Sequence, residues 1–269
     1  MPELPEVETL RRELDPRVGG RTIQEAGSHR SAKFTPATAA VGATIAGAAR
    51  RGKFLLLPLS GERELVIHLG MTGTLSFADD IGDSPYLRAW WRLDAGPTGP
   101  FLLFHDVRRF GRIRVVPAGD YRSIPTLRNA GPEPWDPGLT PERFHSLIQR
   151  STRAIKTQLL SQRPIAGVGN IYADEALWAA KINPKARRLG LERSAKLLDE
   201  LRDVLEKGIE NGGTTLRDYR TVDGDTGQNQ HTLVAYGRGG LPCLRCGALL
   251  TSDVIDARTT VWCRSCQRR

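Results

Sequence analysis

The sequence has 269 residues, a formal net charge of +9 and a hydrophobic fraction of 39%. This length exceeds what one small domain needs, and the hydrophobic fraction suffices for a soluble globular protein. No apolar run approaches the roughly 18 residues of a membrane-spanning helix, and the acidic N-terminus is unlike a signal peptide. The positive excess favours a polyanionic partner, with plain solubility as the alternative.

The chain begins with Met1-Pro-Glu-Leu-Pro-Glu-Val-Glu8, and the small Pro2 favours removal of the initiator methionine. A free α-amino group has a pKa of about 7.7–8.0, against about 10.4 for lysine, so part of it is unprotonated near neutrality. A secondary amine that attacks an aldehyde-level carbon gives a cationic iminium, which is a strong electron sink. The stretch therefore indicates either a nucleophilic terminus or the ordinary acidic first turn of a helix.

Pro5–Leu14 is predicted to be a helix, because Val7, Leu10 and Leu14 recur at helical spacing. Asp15-Pro16 and Gly19-Gly20 are predicted to stop it. Short apolar runs separated by Gly, Pro, Asp and Ser follow between residues 21 and 117. Regularly spaced short strands are typical of an antiparallel sandwich or barrel. The runs are Lys53–Leu57, Glu64–His68, Thr74–Phe77, Trp90–Leu93, Phe101–Phe104 and Arg112–Val116.

The chain becomes helical after the proline-rich linker that starts at Gly131–Pro134. Thr221–Gln230 is rich in Gly, Asp, Thr and Gln and is predicted to be a mobile loop. The predicted helices are Pro141–Arg150, Arg153–Leu160, Asn170–Ala180 and Ser194–Asn211.

All four cysteines lie in two Cys-x-x-Cys pairs near the C-terminus: Cys243, Cys246, Cys263 and Cys266. Sixteen residues separate the pairs, a spacing typical of a four-thiolate structural zinc site. Four free buried thiols explain this spacing poorly. The stretch between the pairs is predicted to form the tip of a β-hairpin, where Arg258 is either a solvated turn residue or a phosphate clamp.

Ile165–Asp174 follows one predicted helix and opens the next. Gly167 and Gly169 permit tight turns, and Asn170 is predicted to be the N-cap. Because the N–H groups at a helix N-terminus bind phosphate, this turn suits the DNA backbone. The alternative is a capped helix turn without a ligand.

Two glycine-flanked turns carry large side chains, Asp106–Gly111 and His68–Gly73. Phe110 and Met71 are predicted to lie on exposed tips, because apolar wedges can separate stacked bases. Core packing is the alternative for both side chains. Lys53 starts an apolar strand, where a lysine without a functional role is also common.

Together, these motifs resemble the formamidopyrimidine-DNA glycosylase family of bacterial base-excision repair enzymes. The related endonuclease VIII branch usually begins Pro-Glu-Gly-Pro and lacks the Arg-Arg-Phe-Gly motif. Leu4 stands where that branch has glycine, which favours the branch for oxidised purines. The resemblance is carried by Pro2–Thr9, Lys53, His68–Gly73, Arg108–Gly111, Gly131–Pro134, Gly167–Tyr172, Gly212–Thr215, Tyr236–Arg238 and the four cysteines.

The resemblance implies an α+β multidomain fold with one structural zinc ion. An N-terminal antiparallel β-sandwich with an N-terminal helix is expected over residues 1–128. A helix–two-turn–helix DNA-binding domain is expected over 129–222, and a four-cysteine zinc finger over 236–269. Residues 223–235 are expected to form a flexible linker and a loop that covers the lesion.

The resemblance also assigns roles to individual residues. It implies that Pro2 is the Schiff-base nucleophile, that Glu3 is the acid near the sugar, and that Lys53 is a catalytic lysine that contacts phosphate. Arg258 is implied as a phosphate clamp with a part in the final elimination. Met71, Arg108 and Phe110 match the residues that fill the hole left by the extruded nucleotide. Arg109, Arg153, Lys156 and Asn170 are predicted to bind DNA.

The chain departs from the family pattern where a His-Asp-His run is common. Tyr86–Trp91 stands in that region, and Arg88 is the predicted substitute for the missing phosphate contact.

The resulting hypothesis is that the protein is a bifunctional DNA glycosylase and AP lyase. It would excise 8-oxoguanine and formamidopyrimidines from duplex DNA. It would flip the damaged base out of the duplex and cleave the strand by β,δ-elimination. The predicted enzyme is a monomer of the bacterial cytoplasm, associated with the nucleoid and not with a membrane. The alternatives are a glycosylase for oxidised pyrimidines and a non-catalytic, zinc-dependent DNA-binding protein.

Overall fold

The computed structural model describes residues 1–268. The chain forms two compact units, and each is built from two stretches of sequence. The first unit joins Met1–Arg128 to Asn211–Gln230, and the second joins Asn129–Glu210 to the chain from His231 onward. In the described part of the chain, no helix has the length and apolar character needed to cross a membrane.

The first unit contains a sandwich of two antiparallel four-stranded sheets, ordered β1-β6-β7-β5 and β2-β3-β4-β8. Alternate side chains of both sheets point into one apolar core, which includes Leu57 and Ile67 from one sheet and Leu75 and Phe104 from the other. The predicted sandwich is therefore confirmed. The strands are β1 Ile23–Ser28, β2 Ala49–Arg51, β3 Phe54–Leu59, β4 Arg63–His68, β5 Gly73–Ala78, β6 Leu87–Leu93, β7 Phe101–Asp106 and β8 Arg112–Pro117.

The N-terminal helix α1 spans Leu4–Val18 and packs on the sandwich. The predicted stop at Asp15-Pro16 is wrong, because Pro16 lies inside the helix, whereas the predicted stop at Gly19-Gly20 is confirmed, because Gly19 is the C-cap. Pro16 lacks one N–H donor, but Leu14 and Val18 on either side of it are fully buried and hold the last turn in the core. A four-residue helix, α2, spans Pro125–Arg128.

The second unit contains four helices among its described residues, followed by the cysteine-rich segment. The long helix α6 packs against α3 and α5, and its apolar face buries Leu197, Leu198, Leu201 and Leu205. The helices are α3 Pro141–Gln149, α4 Ile155–Leu160, α5 Asn170–Ala179 and α6 Leu191–Glu210, and the strands are β9 Thr251–Ile255 and β10 Arg258–Trp262.

Residues 211–222, which are predicted to belong to the helical domain, lie in the first compact unit. The domain boundaries expected at residues 128, 222 and 236 remain predictions, because a compact unit and a functional domain need not coincide.

Candidate functional site

Pro2 and Glu3 lie buried at the start of α1. Glu3 is 2% exposed, and its main-chain N–H donates to Glu6 Oε2 at 2.7 Å. This bond closes the first turn of the helix, as the side chain of a capping box does. The terminus is thus fixed by the helix that follows it.

Glu6 also joins α1 to a distant segment of the same unit. Its Oε1 accepts a hydrogen bond from the main-chain N–H of Thr214 at 2.7 Å. The neighbouring Gly213 has φ +84°, and a Cβ at this position would lie 2.9 Å from Glu6 Cγ. Glycine is therefore required for this close approach. Glu6 was not among the predicted site residues, although its position three residues after Glu3 is the capping-box spacing.

Lys53 follows Gly52 in the turn between β2 and β3 and is 8% exposed. Arg50 ties this turn to α1, because its Nη1 donates to the carbonyl of Gly52 at 3.1 Å and its Nε donates to Glu8 Oε2 at 3.1 Å. Burial raises the pKa of the Glu8 carboxyl. Hydrogen bonds from arginine side chains and the charge of Arg50 outweigh burial and hold that pKa below its usual range.

A buried aspartate holds the two glycine-flanked turns together. Asp106 is 0% exposed, and its carboxylate accepts hydrogen bonds from Thr72 Oγ1 at 2.5 Å and from Gly111 N–H at 2.6 Å. Thr72 Oγ1 in turn accepts from the N–H of Arg108 at 3.0 Å. Asp106 therefore positions the turns that carry Met71 and Phe110. The sequence does not predict this role, because Asp106 stands out there only as the first residue of the Asp106–Gly111 motif.

The backbones of the two turns are also in direct contact. Gly70 has φ +67°, and a Cβ there would lie 2.4 Å from Gly111 N and 2.4 Å from Phe110 C. His68 Nδ1 accepts from the N–H of Gly70 at 3.1 Å, which requires a neutral ring nitrogen. Burial lowers the pKa of His68 to about 4, and the charge of Lys53 acts in the same direction.

The predicted tips are accessible to different degrees. Phe110 is 47% exposed, and the guanidinium carbon of Arg108 lies 4.8 Å from its ring centroid. Arg109 is exposed, and its carbonyl accepts a hydrogen bond from Lys33 Nζ at 2.8 Å. Met71 is only half-buried. These side chains thus lie at the surface beside the turn that Asp106 organises.

Arg88 occupies a different environment from the one expected. It is 3% exposed, its Nε donates to the carbonyl of Asp106 at 2.8 Å, and its Nη1 donates to the carbonyl of Pro85 at 2.9 Å. A buried guanidinium bonded to main-chain carbonyls stabilises β6 and β7, which argues against the predicted phosphate contact.

Lys156, in the second unit, is also buried. It is 0% exposed, and its Nζ donates to Asp174 Oδ1 at 2.6 Å and to Thr260 Oγ1 at 2.9 Å. Asp174 Oδ2 accepts from the N–H of Val261 at 3.0 Å. Burial raises the pKa of Asp174 to about 6, and the charge of Lys156 opposes the rise. This pair joins α4 and α5 to β10, so the geometry favours a structural role for Lys156 over the predicted DNA contact.

The helix α5 has a different N-cap from the one predicted. Gly169 is the N-cap and Asn170 is the first helical residue, so the assignment of Asn170 as the N-cap is wrong. The extended backbone of Gly169 leaves the Asn170 side chain outside the capping position. Asn170 Nδ2 donates to the carbonyl of Thr259 at 3.1 Å. Asn170 thus joins the start of α5 to the hairpin.

The predicted hairpin between the cysteine pairs is confirmed. β9 and β10 pair in antiparallel register, and the turn residues Asp256 and Ala257 have φ values of 47° and 58°. Arg258 is exposed at the start of β10. Asp256 Oδ2 accepts from Arg153 Nη2 at 3.0 Å and also from the hydroxyl of Thr157. Arg153 is therefore exposed but already paired with an acid of the hairpin.

The four cysteine sulfurs lie within 4.8 Å of one another, and the cysteines form no disulfide. Tetrahedral zinc with Zn–S bonds of about 2.3 Å places its sulfurs about 3.8 Å apart, so this spacing fits the ion. Burial raises the pKa of Cys243, but hydrogen bonds from the main-chain N–H groups of Arg245 and Cys246 contribute to lowering it to about 6. Cys263 Sγ accepts from the N–H of Cys266 at 3.4 Å. These features indicate a structural zinc site.

Family models match three stretches of the chain. Residues 1–113 match the formamidopyrimidine-DNA glycosylase N-terminal domain, and residues 130–220 match the H2TH domain of the same family. Residues 240–269 match the zinc finger found in FPG and IleRS. The chain belongs to the formamidopyrimidine-DNA glycosylase family.

Relatives in this family match along nearly the whole chain. The formamidopyrimidine-DNA glycosylase of Thermus thermophilus is 45% identical over 271 residues, covering 99% of this chain and 98% of that protein. Its Deinococcus radiodurans counterpart is 39% identical over 280 residues, covering 99% and 97%.

Solved structures of the family have the same fold. The crystal structure of MutM (Fpg) from Thermus thermophilus has a TM-score of 0.91, with 45% identity and coverage of 99% of this chain and 98% of that one. A mutant Lactococcus lactis Fpg in complex with Fapy-dG containing DNA has a TM-score of 0.88, with 34% identity and full coverage of both chains.

In this formamidopyrimidine-DNA glycosylase family member, the predicted residues fall into separate groups. Within the first unit, Pro2 and Glu3 lie at the start of α1, and Lys53 lies in a turn tied to α1. The predicted wedge residues lie in the two turns that Asp106 joins. Within the second unit, Asn170, Lys156 and the hairpin of Arg258 are joined by hydrogen bonds.

Proposed function

We propose that this chain excises oxidised purines from duplex DNA and cleaves the strand through a Schiff base on Pro2. Family membership supports the reaction class, and the Lactococcus lactis relative bound to Fapy-dG containing DNA supports the substrate class. The observation that carries the proposal is the start of α1. Glu6 holds the N–H of Glu3 there, which fixes Glu3 beside Pro2.

The proposed reaction begins after removal of Met1, which is 47% exposed and so accessible to an aminopeptidase. The lone pair of the Pro2 nitrogen forms a bond to C1′ as the bond from C1′ to the damaged base breaks. The proton that the Pro2 nitrogen then loses neutralises the departing base. A proton from Glu3 to the ring oxygen opens the sugar and gives the iminium. This covalent step divides one difficult displacement into easier ones.

The iminium then acidifies C2′. Loss of a C2′ proton expels the 3′ phosphate by β-elimination, and a second elimination expels the 5′ phosphate. We assign Lys53 to a phosphate beside the reaction centre, and Arg258, Asn170 and Arg109 to other phosphates. Arg258 also takes part in the final elimination. Met71, Arg108 and Phe110 fill the space left by the flipped nucleotide.

Borohydride trapping on an 8-oxoguanine duplex tests the nucleophile. Protein without Met1 is expected to form a covalent complex, because borohydride reduces the iminium to a stable amine. Protein that retains Met1 has an amide nitrogen at Pro2 and is expected to form none. Treatment of that protein with methionine aminopeptidase is the matched control and should restore the complex. Equal trapping with Met1 retained would exclude Pro2 as the nucleophile.

Excision of 8-oxoguanine and thymine glycol, measured side by side, tests the substrate class. We expect the rate for 8-oxoguanine opposite cytosine to be at least about tenfold higher, a difference of about 1.4 kcal/mol in the barrier. A preference for thymine glycol would assign the chain to oxidised pyrimidines. Absence of excision on both duplexes would support a non-catalytic DNA-binding protein. The proposed enzyme is a monomer located with the nucleoid in the bacterial cytoplasm.

A further inference from the structure

The second unit contains an open groove beside β9, which we call the β9 groove. It is lined by residues 152–154 and Thr157 around the start of α4, by residues 185–188 after α5, and by residues 254–256 at the end of β9. Its volume is about 820 Å³. All of these residues belong to the second compact unit, so the groove is a feature of that unit alone.

The β9 groove has an excess of positive charge. Arg153 pairs with Asp256, and Lys185 pairs with Asp253. Arg187 and Arg188 are exposed, and neither side chain has an ion pair or a hydrogen bond to any of residues 1–268. Four cations against two acids leave two positive charges, and these belong to two neighbouring arginines. The charged residues that line the groove are Arg153, Lys185, Arg187, Arg188 and Asp256.

The β9 groove is continuous with the hairpin strand that presents Arg258. Ile255 lines the groove and is the cross-strand partner of Arg258. Residues directly opposite each other in an antiparallel pair have Cα atoms about 4.5–5.5 Å apart. A DNA strand with a phosphate at Arg258 would therefore run beside the wall of the groove.

The chemistry of the groove fits a phosphate backbone better than a peptide. Of its described lining residues, only Val254 and Ile255 have apolar side chains larger than a methyl group. Protein–protein interfaces usually contain a buried apolar core, whereas protein–DNA interfaces are more polar and strongly positive. Guanidinium groups bind phosphate oxygens through two parallel hydrogen bonds, and Arg187 and Arg188 have these donors available.

We propose that the β9 groove binds the backbone of the duplex beside the lesion, and that Arg187 and Arg188 each contact a phosphate there. The groove lengthens the DNA segment that the protein binds. It contributes to affinity and not to the reaction, because the residues proposed for the reaction lie elsewhere. The inference rests on the proposed binding of duplex DNA and is independent of the excision chemistry.

Binding of the full-length protein to duplexes of two lengths tests the role of the β9 groove. Both duplexes carry a central tetrahydrofuran abasic analogue, which has no leaving group at C1′ and is not turned over. One has about 10 base pairs, or one helical turn, and the other about 20. The wild type should bind the longer duplex roughly tenfold more tightly. Arg187→Ala/Arg188→Ala should bind the short duplex as the wild type does and lose most of the gain from length.

The salt dependence of binding gives a second readout. Each phosphate contact contributes about 0.9 to the slope of log affinity against log salt, because it releases counterions from the DNA. On the longer duplex, Arg187→Ala/Arg188→Ala should reduce this slope by about 2. On the short duplex, the slope should equal that of the wild type.

Lys196→Ala/Lys207→Ala is the matched control, because it removes two exposed cations of α6 outside the groove and changes the net charge equally. This control should keep the gain from length. An equal loss in both double variants would assign the effect to overall charge and overturn the proposal. An unchanged gain in Arg187→Ala/Arg188→Ala, or equal binding of both duplexes by the wild type, would also overturn it.

Two further results separate this proposal from its neighbours. If the proposed function fails, the wild type should bind the analogue no better than undamaged DNA of equal length, and the effect of length is then compared between variants on undamaged DNA. A fluorescent polyglutamate peptide tests the other class of occupant. Loss of peptide binding in Arg187→Ala/Arg188→Ala with an unchanged gain from DNA length would assign the groove to an acidic protein instead.

Discussion

The two units hold the predicted functional residues by different interactions. In the first unit, the carboxylates of Glu6 and Asp106 accept main-chain N–H groups beside the large core of the sandwich. In the second unit, the hairpin of Arg258 depends on four thiolates and a buried ion pair, and the apolar core of the finger is small. The sandwich of the first unit is therefore stabilised mainly by packing, and the hairpin of the second unit by metal binding and charge.

Zinc removal should produce the largest difference in stability between the two units. Structural zinc contributes on the order of 10–16 kcal/mol in small fingers, so a chelator should unfold the cysteine-rich segment. Hydrogen exchange measured by mass spectrometry should become fast in β9 and β10 and stay slow in α1. DNA affinity should fall by about tenfold or more, because the proposed charge-assisted contact of Arg258, of about 1.5–3 kcal/mol, is lost. Fast exchange in α1 as well would contradict the comparison.

The Lys156→Met substitution should have the next largest effect. It leaves the carboxyl of Asp174 buried without its cation, which costs about 3–5 kcal/mol of unfolding free energy. Lys185→Met is the matched control, because its partner Asp253 is exposed and the pair contributes less than about 1 kcal/mol. Urea unfolding of both variants measures the difference. An equal loss of unfolding free energy in the two variants would show that the buried pair contributes no more to stability than the exposed pair.

Acidification should destabilise the first unit through His68. The folded pKa of about 4 lies below the ordinary value of 6.5, so the unfolded chain binds the proton more tightly. The contribution of His68 to stability is therefore complete above pH 6.5 and is lost as the pH falls towards 4. Between pH 7 and pH 5, the loss is about 2 kcal/mol.

Urea unfolding at these two pH values checks this expectation. The control is His68→Asn, which keeps an acceptor for the N–H of Gly70 but does not titrate in this range. The variant should show a pH dependence smaller by about 2 kcal/mol. The same slope in the variant and the wild type would exclude His68 as its source.

The smallest effect is expected at the Arg17–Asp223 pair, which joins α1 to the predicted lesion-covering loop through two bonds of 2.6 Å. The pair is exposed to solvent, so Arg17→Ala should cost only about 0.2–1 kcal/mol. Thermal unfolding should show this loss at low salt and no difference at 1 M salt, where screening is strong. A loss that persists at high salt would indicate packing by the arginine stem.

Much of the fold follows from local patterns in the sequence. The apolar strands from Phe54 to Val116 were predicted because their side chains line a core. β1 and β2 were missed, because β1 contains only one fully buried apolar residue, Ile23, and β2 has three residues. Such strands are defined by main-chain pairing with a partner, which a propensity pattern does not contain.

The residues of the candidate site also divide into those that a local pattern predicts and those that depend on distant partners. The cysteine pairs and the N-terminal motif were recognised because their spacing itself carries chemistry. Glu6 was missed as a site residue because its partner Thr214 lies 208 residues away. The burial of Arg88 and Lys156 was also unpredictable, since a cation that binds carbonyls or a buried acid resembles a surface cation in sequence.

The close contact between Gly70 and the Phe110-Gly111 backbone sets the position of the proposed wedge independently of the side chains that would form it. The two turns meet through main-chain atoms, so their spacing is independent of the side chains at positions 71 and 110. Exchanging those two side chains is therefore expected to change the size and shape of the proposed wedge while the spacing of the two turns stays the same. Positions 71 and 110 can therefore be varied in a library without changing the backbone of the two turns. Any residue larger than glycine at position 70 would push the two turns apart.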